Sequence, residues 1–573
     1  MTTGTAPTRP PAPDEVSRWR RVRRYAVPRW MIEKATERRL AGDWRGACAA
    51  ANVDVAFDLG AVAGTCGNEA AAALEDALLH LGPDLLRWHA PRVDRGRTTL
   101  IPDQVLVLDD GPYEGGHALY VTTPSMLVHG PQRLTLRFAP VPADWVFLDT
   151  DLPYCAVWRN VVQSWTTARH LWDVRHAGEL RERSGGGEER APFLEPDGTP
   201  RPAARLPSAD PGPGDPAART EWLGLVRERE GAEAAFAAAG VEVDPSGVDV
   251  EEWHGGGVIG AFDVLGRLPL ALSTLGPELR TLSERTGAGT FWIPYQQHAA
   301  VVLEWSGRPC VRVEPFENFD TTRPVFPEAC RRPPPDLDLL RYGLVPDGEL
   351  HPLVRAALMP AASPDGPGGP PDPAGPPTAR VRCRGDWHDV RFRNGVLEMP
   401  HSEAEQRREQ ALLALGGAVG GCQAVRRGWR SGGRLPRALE AGRRDLLARV
   451  QHGDTPGVLA LLDAGIDPRV RDARGRTLLH CLHLIDHTLL MPRLVPVLDL
   501  EAGDSCGRTP LHVTVFENGS VDLVRALLDA GARIDVQDEQ ETTLHRVIEW
   551  RERTDLAFLL RRIEDEYPEL ADW

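Results

Sequence analysis

Thr509-Pro510-Leu511-His512 is the clearest copy of a short pattern that recurs in the last third of the chain. Thr477-Leu478-Leu479-His480 lies 32 residues before it, and Thr542-Thr543-Leu544-His545 lies 33 residues after it. The same period separates Asp463-Ala464-Gly465 from Asp529-Ala530-Gly531, because the two tripeptides lie 66 residues apart, which is two periods of 33. Self-similarity at such a period indicates a stack of small, similar structural units.

The pattern and its period resemble the ankyrin repeat, a β-turn followed by two antiparallel helices. The resemblance implies an all-α ankyrin-repeat solenoid of about four units over residues 440–566, with atypical first and last units as caps. The threonine is expected to cap the first helix, the histidine to bond backbone in the turn region, and glycine to end the second helix. The residues of this sequence that match the structural positions of the repeat are Thr477, His480, Thr509, Pro510, Leu511, His512, Thr542, Leu544, His545, Gly465 and Gly531.

The first unit lacks the Thr-Pro-Leu-His signature, and the last and second units depart from the pattern in other ways. The last turn, from Gly531 to His545, is one residue shorter than the corresponding turn of the second unit and has lost its glycine, so we expect a reshaped tip. The second unit carries Met491-Pro492 and Pro496, which predict a short or bent outer helix.

Stacked repeats of this kind offer a concave surface made of turn tips and inner helices, and such surfaces bind proteins. The alternative is that the repeats act as a structural cap for the rest of the chain. The partner-binding positions expected at the most exposed tips are Ala473, Arg474, Arg476, Ser505, Cys506, Arg508, Glu539 and Gln540.

Composition excludes several classes of function. The chain has 573 residues and a formal net charge of −16, which argues against a general nucleic-acid binder. Lys34 is the only lysine, and its surroundings resemble neither a Walker A loop nor a pyridoxal Schiff-base site. The nine cysteines form no C-x-x-C pair, so reduced thiols in a cytoplasm are expected. No signal peptide or membrane span is recognisable, and no cofactor or metal is expected.

Two Pro/Gly-rich stretches, residues 184–221 and 361–378, either separate domains or form long loops within one. Residues 1–13 are expected to be a disordered N-terminus. The two Pro/Gly-rich stretches divide the rest of the chain before the repeats into an α+β domain at 14–183, an α+β region at 222–360 and a hairpin-and-helix segment at 379–435. The fold class is therefore an α+β region of helices and antiparallel hairpins, followed by the repeat solenoid.

Hydrophobic periodicity predicts the individual elements. Residues 14–92 follow a helical period, with a helical hairpin broken at Gly42, and the period then changes to two, which predicts an antiparallel β unit over 105–148. Trp158, Trp165 and Trp172 recur seven residues apart, which predicts a helix from Tyr154 to Arg183. Further predicted elements are a helix over 222–239, hairpins turning at Ser306-Gly307 and Asn394-Gly395, and a helix opened by a capping box of Ser402 and Glu405.

Other motifs suggest chemistry, but each has a plainer interpretation. His254-Gly255-Gly256-Gly257 with Gly503-Asp504-Ser505-Cys506-Gly507 suggests a hydrolase, yet the second motif falls in a repeat turn rather than a strand-to-helix elbow. The histidines at 480, 483 and 487 could form a zinc site on one helix face, but solvent-facing histidines are the simpler reading, and His388 and His401 merit no more weight.

Arg18-Trp19-Arg20-Arg21-Val22-Arg23-Arg24-Tyr25 is a dense basic patch with interleaved aromatic residues. It could pair internally, dock onto this chain's own acidic repeats, or contact nucleic acid.

These patterns favour a cytoplasmic adaptor that binds a protein partner through its repeats, with no catalytic residue assigned. In general character the chain resembles the large ankyrin-repeat proteins of actinobacteria, and the motif-level match covers the C-terminal repeats. The main alternative is an enzyme or effector with its active site in residues 14–360, which a cluster of His89, Asp103, Asp149 and His254 would favour. A second alternative is a nucleic-acid-linked regulator that uses the arginine patch.

Overall fold

The computed structural model describes residues 13–570 except for 94–97, 112, 125–129, 143–145, 149–156, 160, 251–256, 296–298, 316–319, 321, 363–367, 384 and 416–419. The expected disordered N-terminus therefore lies almost entirely outside the described residues. The chain forms two compact units, 1–128 with 133–371 and 129–132 with 372–573. Residues 184–221 lie inside the first unit, and Ala191 and Leu194 belong to its core. Among the helices described, none has both the length and the apolar character needed to cross a membrane.

Helices form most of the start of the first unit, in agreement with its periodicity. The helices of this unit are α1 (Pro13–Tyr25), α2 (Arg29–Leu40), α3 (Trp44–Ala50), α4 (Leu59–Cys66), α5 (Asn68–Leu79), α6 (Pro83–His89), α7 (Leu180–Arg183), α8 (Pro216–Glu230), α9 (Ala232–Ala239), α10 (Ala261–Arg267), α11 (Leu272–Thr286), α12 (Glu328–Arg331), α13 (Pro335–Arg341) and α14 (Pro352–Leu358). The hairpin of α2 and α3 turns at Gly42, whose φ of +76° favours glycine. The helix expected over 222–239 is interrupted at Gly231, which separates α8 from α9.

Two main sheets complete the first unit. Its strands are β1 (Val53–Val55), β2 (Gln104–Asp109), β3 (His117–Thr122), β4 (Leu134–Pro140), β5 (Val146–Leu148), β6 (Val157–Arg159), β7 (Val161–Ser164), β8 (Glu242–Val243), β9 (Val248–Val250), β10 (Gly257–Ile259), β11 (Thr290–Tyr295), β12 (Ala299–Trp305) and β13 (Pro309–Pro315). One sheet has the order β1-β4-β3-β2-β7, with antiparallel pairing among β2, β3 and β4 and parallel pairing of β1 and β7. The other has the order β11-β12-β13-β8, and its β12–β13 hairpin is the one predicted around Ser306-Gly307. Val325 bridges Gln163 of β7 and Trp292 of β11, so it links the two sheets.

The helix predicted from Tyr154 to Arg183 is wrong. The described part of this stretch contains β6, β7 and the short helix α7, and β7 pairs in parallel with β2. Trp165 and Trp172 are each 1% exposed, and the indole N–H of Trp172 donates a hydrogen bond to the Trp165 carbonyl at 3.2 Å. Trp165 and Trp172 therefore pack into the core from a loop rather than from one face of a helix.

The second unit begins with a small antiparallel sheet of β14 (Ala379–Cys383), β15 (Asp386–Arg393) and β16 (Val396–Glu398), followed by α15 (Glu403–Ala414) and α16 (Gly421–Ser431). Asn394 at φ +50° and Gly395 at φ +73° form the predicted turn, because a primed hairpin turn needs positive φ at both positions. The predicted capping box opens α15: Ser402 N–H donates to Glu405 Oε2 at 2.8 Å, and Glu405 N–H donates to Ser402 Oγ at 3.3 Å.

Helix pairs at the spacing of the predicted repeats follow. They are α17 (Arg437–His452) with α18 (Thr455–Asp463), a 3₁₀ helix (Leu478–Leu484) with α19 (His487–Leu494), α20 (Pro510–Phe516) with α21 (Val521–Asp529), and α22 (Leu544–Trp550) with α23 (Ala557–Glu566). The outer helix α19 is short and contains Pro492, as predicted. Leu446, Leu479, Leu511 and Leu544 come from successive pairs and belong to one hydrophobic core, so each repeat buries its apolar face against its neighbours.

Candidate protein-interaction surface

An aspartate organises the turn before each of the second, third and fourth repeats. Oδ1 of Asp504 accepts hydrogen bonds from the backbone N–H groups of Cys506, at 2.8 Å, and Arg508, at 3.1 Å. Asp472 and Asp538 make the same bonds to the residues two and four positions after them. One carboxylate thus fixes both ends of each turn tip. The patterns used above did not single out these aspartates, although their spacing of 32 and 34 residues is visible in the sequence.

The helix cap of the last repeat is Thr543, one residue later than expected. Its side chain accepts a hydrogen bond from the backbone N–H of Arg546. Thr543 lies five residues after Asp538, the interval that separates aspartate and cap in the two preceding turns. Thr542 instead donates its N–H to Asp538 at 2.9 Å and is part of the turn. His545 is therefore displaced by one position from the other two histidines of the pattern.

This displacement gives the histidines different contacts. Nδ1 of His480 lies 2.8 Å from Oγ1 of Thr477, and its Nε2 lies 3.0 Å from a carbonyl oxygen of the next turn. His512 makes the same contact with its own threonine at 3.0 Å. Burial lowers the pKa of both histidines to about 4, so they act as neutral hydrogen-bonding groups at neutral pH. Nε2 of His545 faces Glu564 of the last helix at 3.5 Å instead.

Left-handed residues shape the turns and helix ends. Gly475 at φ +72° and Gly507 at φ +74° follow their aspartates by three positions, and Glu541 adopts the same conformation at φ +58°. The last turn has therefore lost its glycine but kept its backbone conformation, so the expected reshaping does not occur there. Gly465 at φ +91° and Gly531 at φ +99° follow the ends of α18 and α21.

Arg476 and Arg508 do not belong to the exposed tips, contrary to the expectation. Arg476 is 8% exposed, and its guanidinium lies 3.5 Å from Asp504 and 3.4 Å from Glu517. Arg508 is half-buried and lies 3.1 Å from Asp538. Each arginine reaches the aspartate of the next turn, so the two charges tie neighbouring repeats together instead of facing solvent.

The other tip positions form a continuous line across the repeats. Ser505 N–H donates to the Arg474 carbonyl at 2.7 Å, and Glu539 N–H donates to the Cys506 carbonyl at 2.9 Å. Cys506 is half-buried, whereas the exposed tip residues are Ala473, Arg474, Ser505, Glu539 and Gln540. We call these six residues the tip ridge.

An aromatic cluster lies at the ends of the inner helices. Trp550 is 64% exposed, and its ring meets that of Phe516 edge-on at 5.8 Å. The guanidinium groups of Arg508 and Arg551 lie over the Phe516 ring at 4.6 and 3.9 Å. Phe516 and Trp550 are the last residues of α20 and α22, so they occupy equivalent positions in consecutive repeats. Trp550 was not among the predicted site residues, although its place at the end of an inner helix follows from the repeat spacing.

The three histidines considered as zinc ligands do not share a helix. His480 and His483 lie in the 3₁₀ helix and are 0% and 5% exposed, whereas His487 begins α19. The first two are therefore buried, which also corrects the expectation that they face solvent.

The arginine patch lies on α1, and the side chain of one of its arginines, Arg23, is buried and paired within the first unit. Arg23 donates hydrogen bonds to both carboxylate oxygens of Asp336, at 2.7 and 2.6 Å, and to the Trp88 carbonyl at 2.8 Å. Arg20 and Arg21 are exposed. Internal pairing therefore accounts for Arg23, while docking of the patch onto the repeats and contact with nucleic acid stay predictions.

Of the four residues named for the catalytic alternative, two lie outside the described residues, namely Asp149 and His254. His89 ends α6 and is half-buried, and desolvation of its ring together with the nearby Arg23 lowers its pKa well below the ordinary histidine value. Asp103 lies in the turn before β2. His89 lines a small cavity of about 50 Å³ together with Arg23 and His170. Neither His89 nor Asp103 lines a second cavity of this unit, which has a volume of about 250 Å³.

Residues 446–538 match the family model of ankyrin repeats in three copies. The match covers the second and third repeats, most of the first, and the start of the turn that leads to the fourth. The C-terminal part of the chain is therefore an ankyrin-repeat module, a class of structure that mediates protein–protein interaction.

Proposed function

We propose that this protein is a cytoplasmic adaptor that binds a protein partner on the concave face of an ankyrin solenoid. The contact surface consists of the tip ridge together with the aromatic cluster of Trp550 and Phe516. The exposure of Trp550 is the observation that carries the proposal, because an indole on the surface of the repeats has apolar area left to bury.

The aromatic cluster has the composition of an interface hot spot. Tryptophan and arginine are enriched among residues whose truncation weakens protein complexes most, and an aromatic ring offers large contact area at little cost in conformational entropy. Trp550 is supported by Phe516 at 5.8 Å, and Arg551 lies 5.1 Å from the Trp550 ring, so the indole has packed neighbours on the protein side. A partner can therefore bury its exposed face without a large rearrangement.

The ridge and the cluster are joined through Arg508. This residue lies in the turn before the third repeat, pairs with Asp538 of the next turn, and extends over the Phe516 ring. Both parts of the surface are thus held by one network of contacts within the module. A repeat block that served only as a structural cap would not need an exposed indole beside this network.

Affinity capture from a lysate of the source cells tests the proposal with full-length variants. Trp550→Ala and Arg474→Glu are expected to reduce recovery of a protein that the unchanged chain retains. Leu489→Ala is the matched control, because Leu489 is 52% exposed on the outer helix α19 and belongs to neither the tip ridge nor the aromatic cluster. Equal loss with the control, or no loss with either variant, would contradict the proposal.

A further inference from the structure

Four side chains that the sequence disperses converge at the start of the second unit. Cys383 ends β14, His388 lies in β15, His401 precedes α15, and Cys422 is the second residue of α16. Their ligand atoms all lie within 4.8 Å of one another. Both cysteines are buried, and the His401 side chain is 5% exposed.

We propose that these residues form a structural zinc site with two thiolate and two imidazole ligands. This assignment replaces the sequence-based expectation that the chain holds no metal, and it is independent of the partner-binding proposal. Two cysteines with two histidines form a ligand set that zinc uses in closed, four-coordinate structural sites, and sulfur with imidazole ligands in tetrahedral geometry favours zinc over harder cations.

The distances agree with the edges of a zinc-centred tetrahedron. Zn–S bonds of about 2.3 Å and Zn–N bonds of about 2.0–2.1 Å place a bound sulfur and a bound nitrogen roughly 3.5 Å apart. Cys383 Sγ lies 3.6 Å from His401 Nε2, and Cys422 Sγ lies 3.5 Å from His388 Nδ1. The two imidazole nitrogens, His388 Nδ1 and His401 Nε2, are 3.0 Å apart. Each histidine therefore turns one nitrogen toward a common centre.

A carboxylate holds one of the histidines in the orientation that metal binding needs. Nδ1 of His401, the nitrogen that faces away from the cluster, lies 3.2 Å from Oε2 of Glu409. A proton on Nδ1 donates to this carboxylate and leaves the lone pair of Nε2 free to bind a cation. Zinc-binding histidines commonly carry such a carboxylate partner on their second nitrogen.

The backbone next to Cys422 is also built for close approach. Gly421 has a φ of +58°, and a Cβ added there would lie 2.5 Å from Cys383 Sγ and 3.1 Å from Cys383 Cα. A side chain at this position would push α16 away from β14. The glycine therefore lets the two cysteine-bearing elements meet.

The site joins elements that lead into the repeats. Phe392 of β15 packs on Trp429 of α16 at 4.7 Å, and the Trp429 indole N–H donates to the Asp467 carbonyl, beyond the first repeat's α18, at 3.0 Å. A zinc ion bound by β14, β15, the segment before α15 and α16 would fix this small sheet against the first repeat. Its role is therefore structural, since all four coordination positions are filled by protein.

Metal analysis of the full-length protein tests the proposal. Protein purified with zinc in the medium should contain about one zinc per chain, and Cys383→Ser or Cys422→Ser should reduce this to roughly a tenth or less. Cys481→Ser is the matched control, because Cys481 is a buried free cysteine of the 3₁₀ helix and should leave the zinc content unchanged. Glu409→Gln should keep the site but weaken zinc affinity about 10–100-fold in competition with a chelating indicator.

Cobalt substitution provides a readout that does not depend on how the cysteine variants fold. Metal-free wild-type protein titrated with Co²⁺ should develop the intense visible absorption of tetrahedral cobalt together with a thiolate charge-transfer band. Wild-type protein that binds neither zinc nor cobalt would overturn the proposal. So would a Cys383–Cys422 disulfide in metal-free protein that persists when zinc and reductant are supplied, or Cys383→Ser and Cys422→Ser variants that retain as much zinc as the control.

Discussion

The guanidinium of Arg476 lies 3.5 Å from the carboxylate of Asp504, which belongs to the turn that opens the next repeat. Asp504 also accepts two backbone hydrogen bonds within that turn, so the ion pair couples the position of one repeat to the shape of the following tip. Arg508 and Asp538 repeat the arrangement one turn later at 3.1 Å. Repeat proteins distribute their stability through such nearest-neighbour contacts.

Loss of the Arg476 side chain should therefore destabilise the repeats strongly. Arg476→Ala is expected to lower the free energy of unfolding of this unit by about 3 kcal/mol, because it leaves the buried carboxylates of Asp504 and Glu517 without their cation. Urea unfolding followed by hydrogen exchange of the repeat amides measures the effect. Arg474→Ala, on the exposed ridge two residues away, should change stability by no more than about 0.5 kcal/mol. Similar effects of the two substitutions would show that the inter-repeat pair contributes little.

Each repeat turn contains one residue with positive φ, and its effect on stability can be tested by introducing glycine there or by removing it. Glu541→Gly should stabilise the last repeat by up to about 1 kcal/mol, since glycine adopts the φ of +58° without steric conflict. Gly507→Ala should destabilise its turn by about 1–2 kcal/mol, because the new Cβ would lie 3.0 Å from Glu539 Cγ and 3.1 Å from Glu539 N. Thermal unfolding measures both changes. Glu539→Gly serves as the control, and stabilisation by that substitution would mean that the φ of residue 541 is not the cause.

The stability of the repeats should fall with acidification through His480 and His512. Both have a pKa of about 4 in the folded chain, against about 6.5 for an unperturbed histidine. Between these values the unfolded state binds more protons than the folded state, so the free energy of unfolding decreases as the pH falls from about 6.5 to about 4. Above that window these two groups add no pH dependence.

Hydrogen exchange of the amides in Leu478–Leu484 and Pro510–Phe516 at several pH values measures this dependence. The double variant His480→Gln with His512→Gln should be less stable at neutral pH and should show a flatter profile through the acidic window. An unchanged slope in the double variant would assign the acid sensitivity to other groups.

The sequence predicted what depends on short-range patterns. The cap at Thr509, the turn at Asn394-Gly395 and the capping box of Ser402 with Glu405 are each complete within a few residues, so local spacing is enough to find them. The Arg476–Asp504 pair was missed because exposure of an arginine in a turn depends on what the neighbouring repeat places beside it.

Long-range pairing explains the larger errors. The segment at Val161–Ser164 is a strand because β2 offers it an open edge, and tryptophan spacing contains no information about that edge. The four proposed zinc ligands are separated by 5, 13 and 21 positions and come from a sheet, a loop and a helix, so no compact motif marks them. Their meeting depends on the packing of α16 against β14.

Photo-crosslinking tests the central claim, which is that the ankyrin module binds a protein through the tip ridge and the aromatic cluster. A photoreactive phenylalanine derivative would replace Trp550, where it keeps an aromatic ring, Gln540 of the tip ridge or, as the control, Leu489 in the full-length chain produced in its source cells. Crosslinks from positions 550 and 540 to the same protein, without that product from position 489, are the predicted result. Crosslinks to that protein from all three positions alike, or none from 550 and 540, would contradict the account.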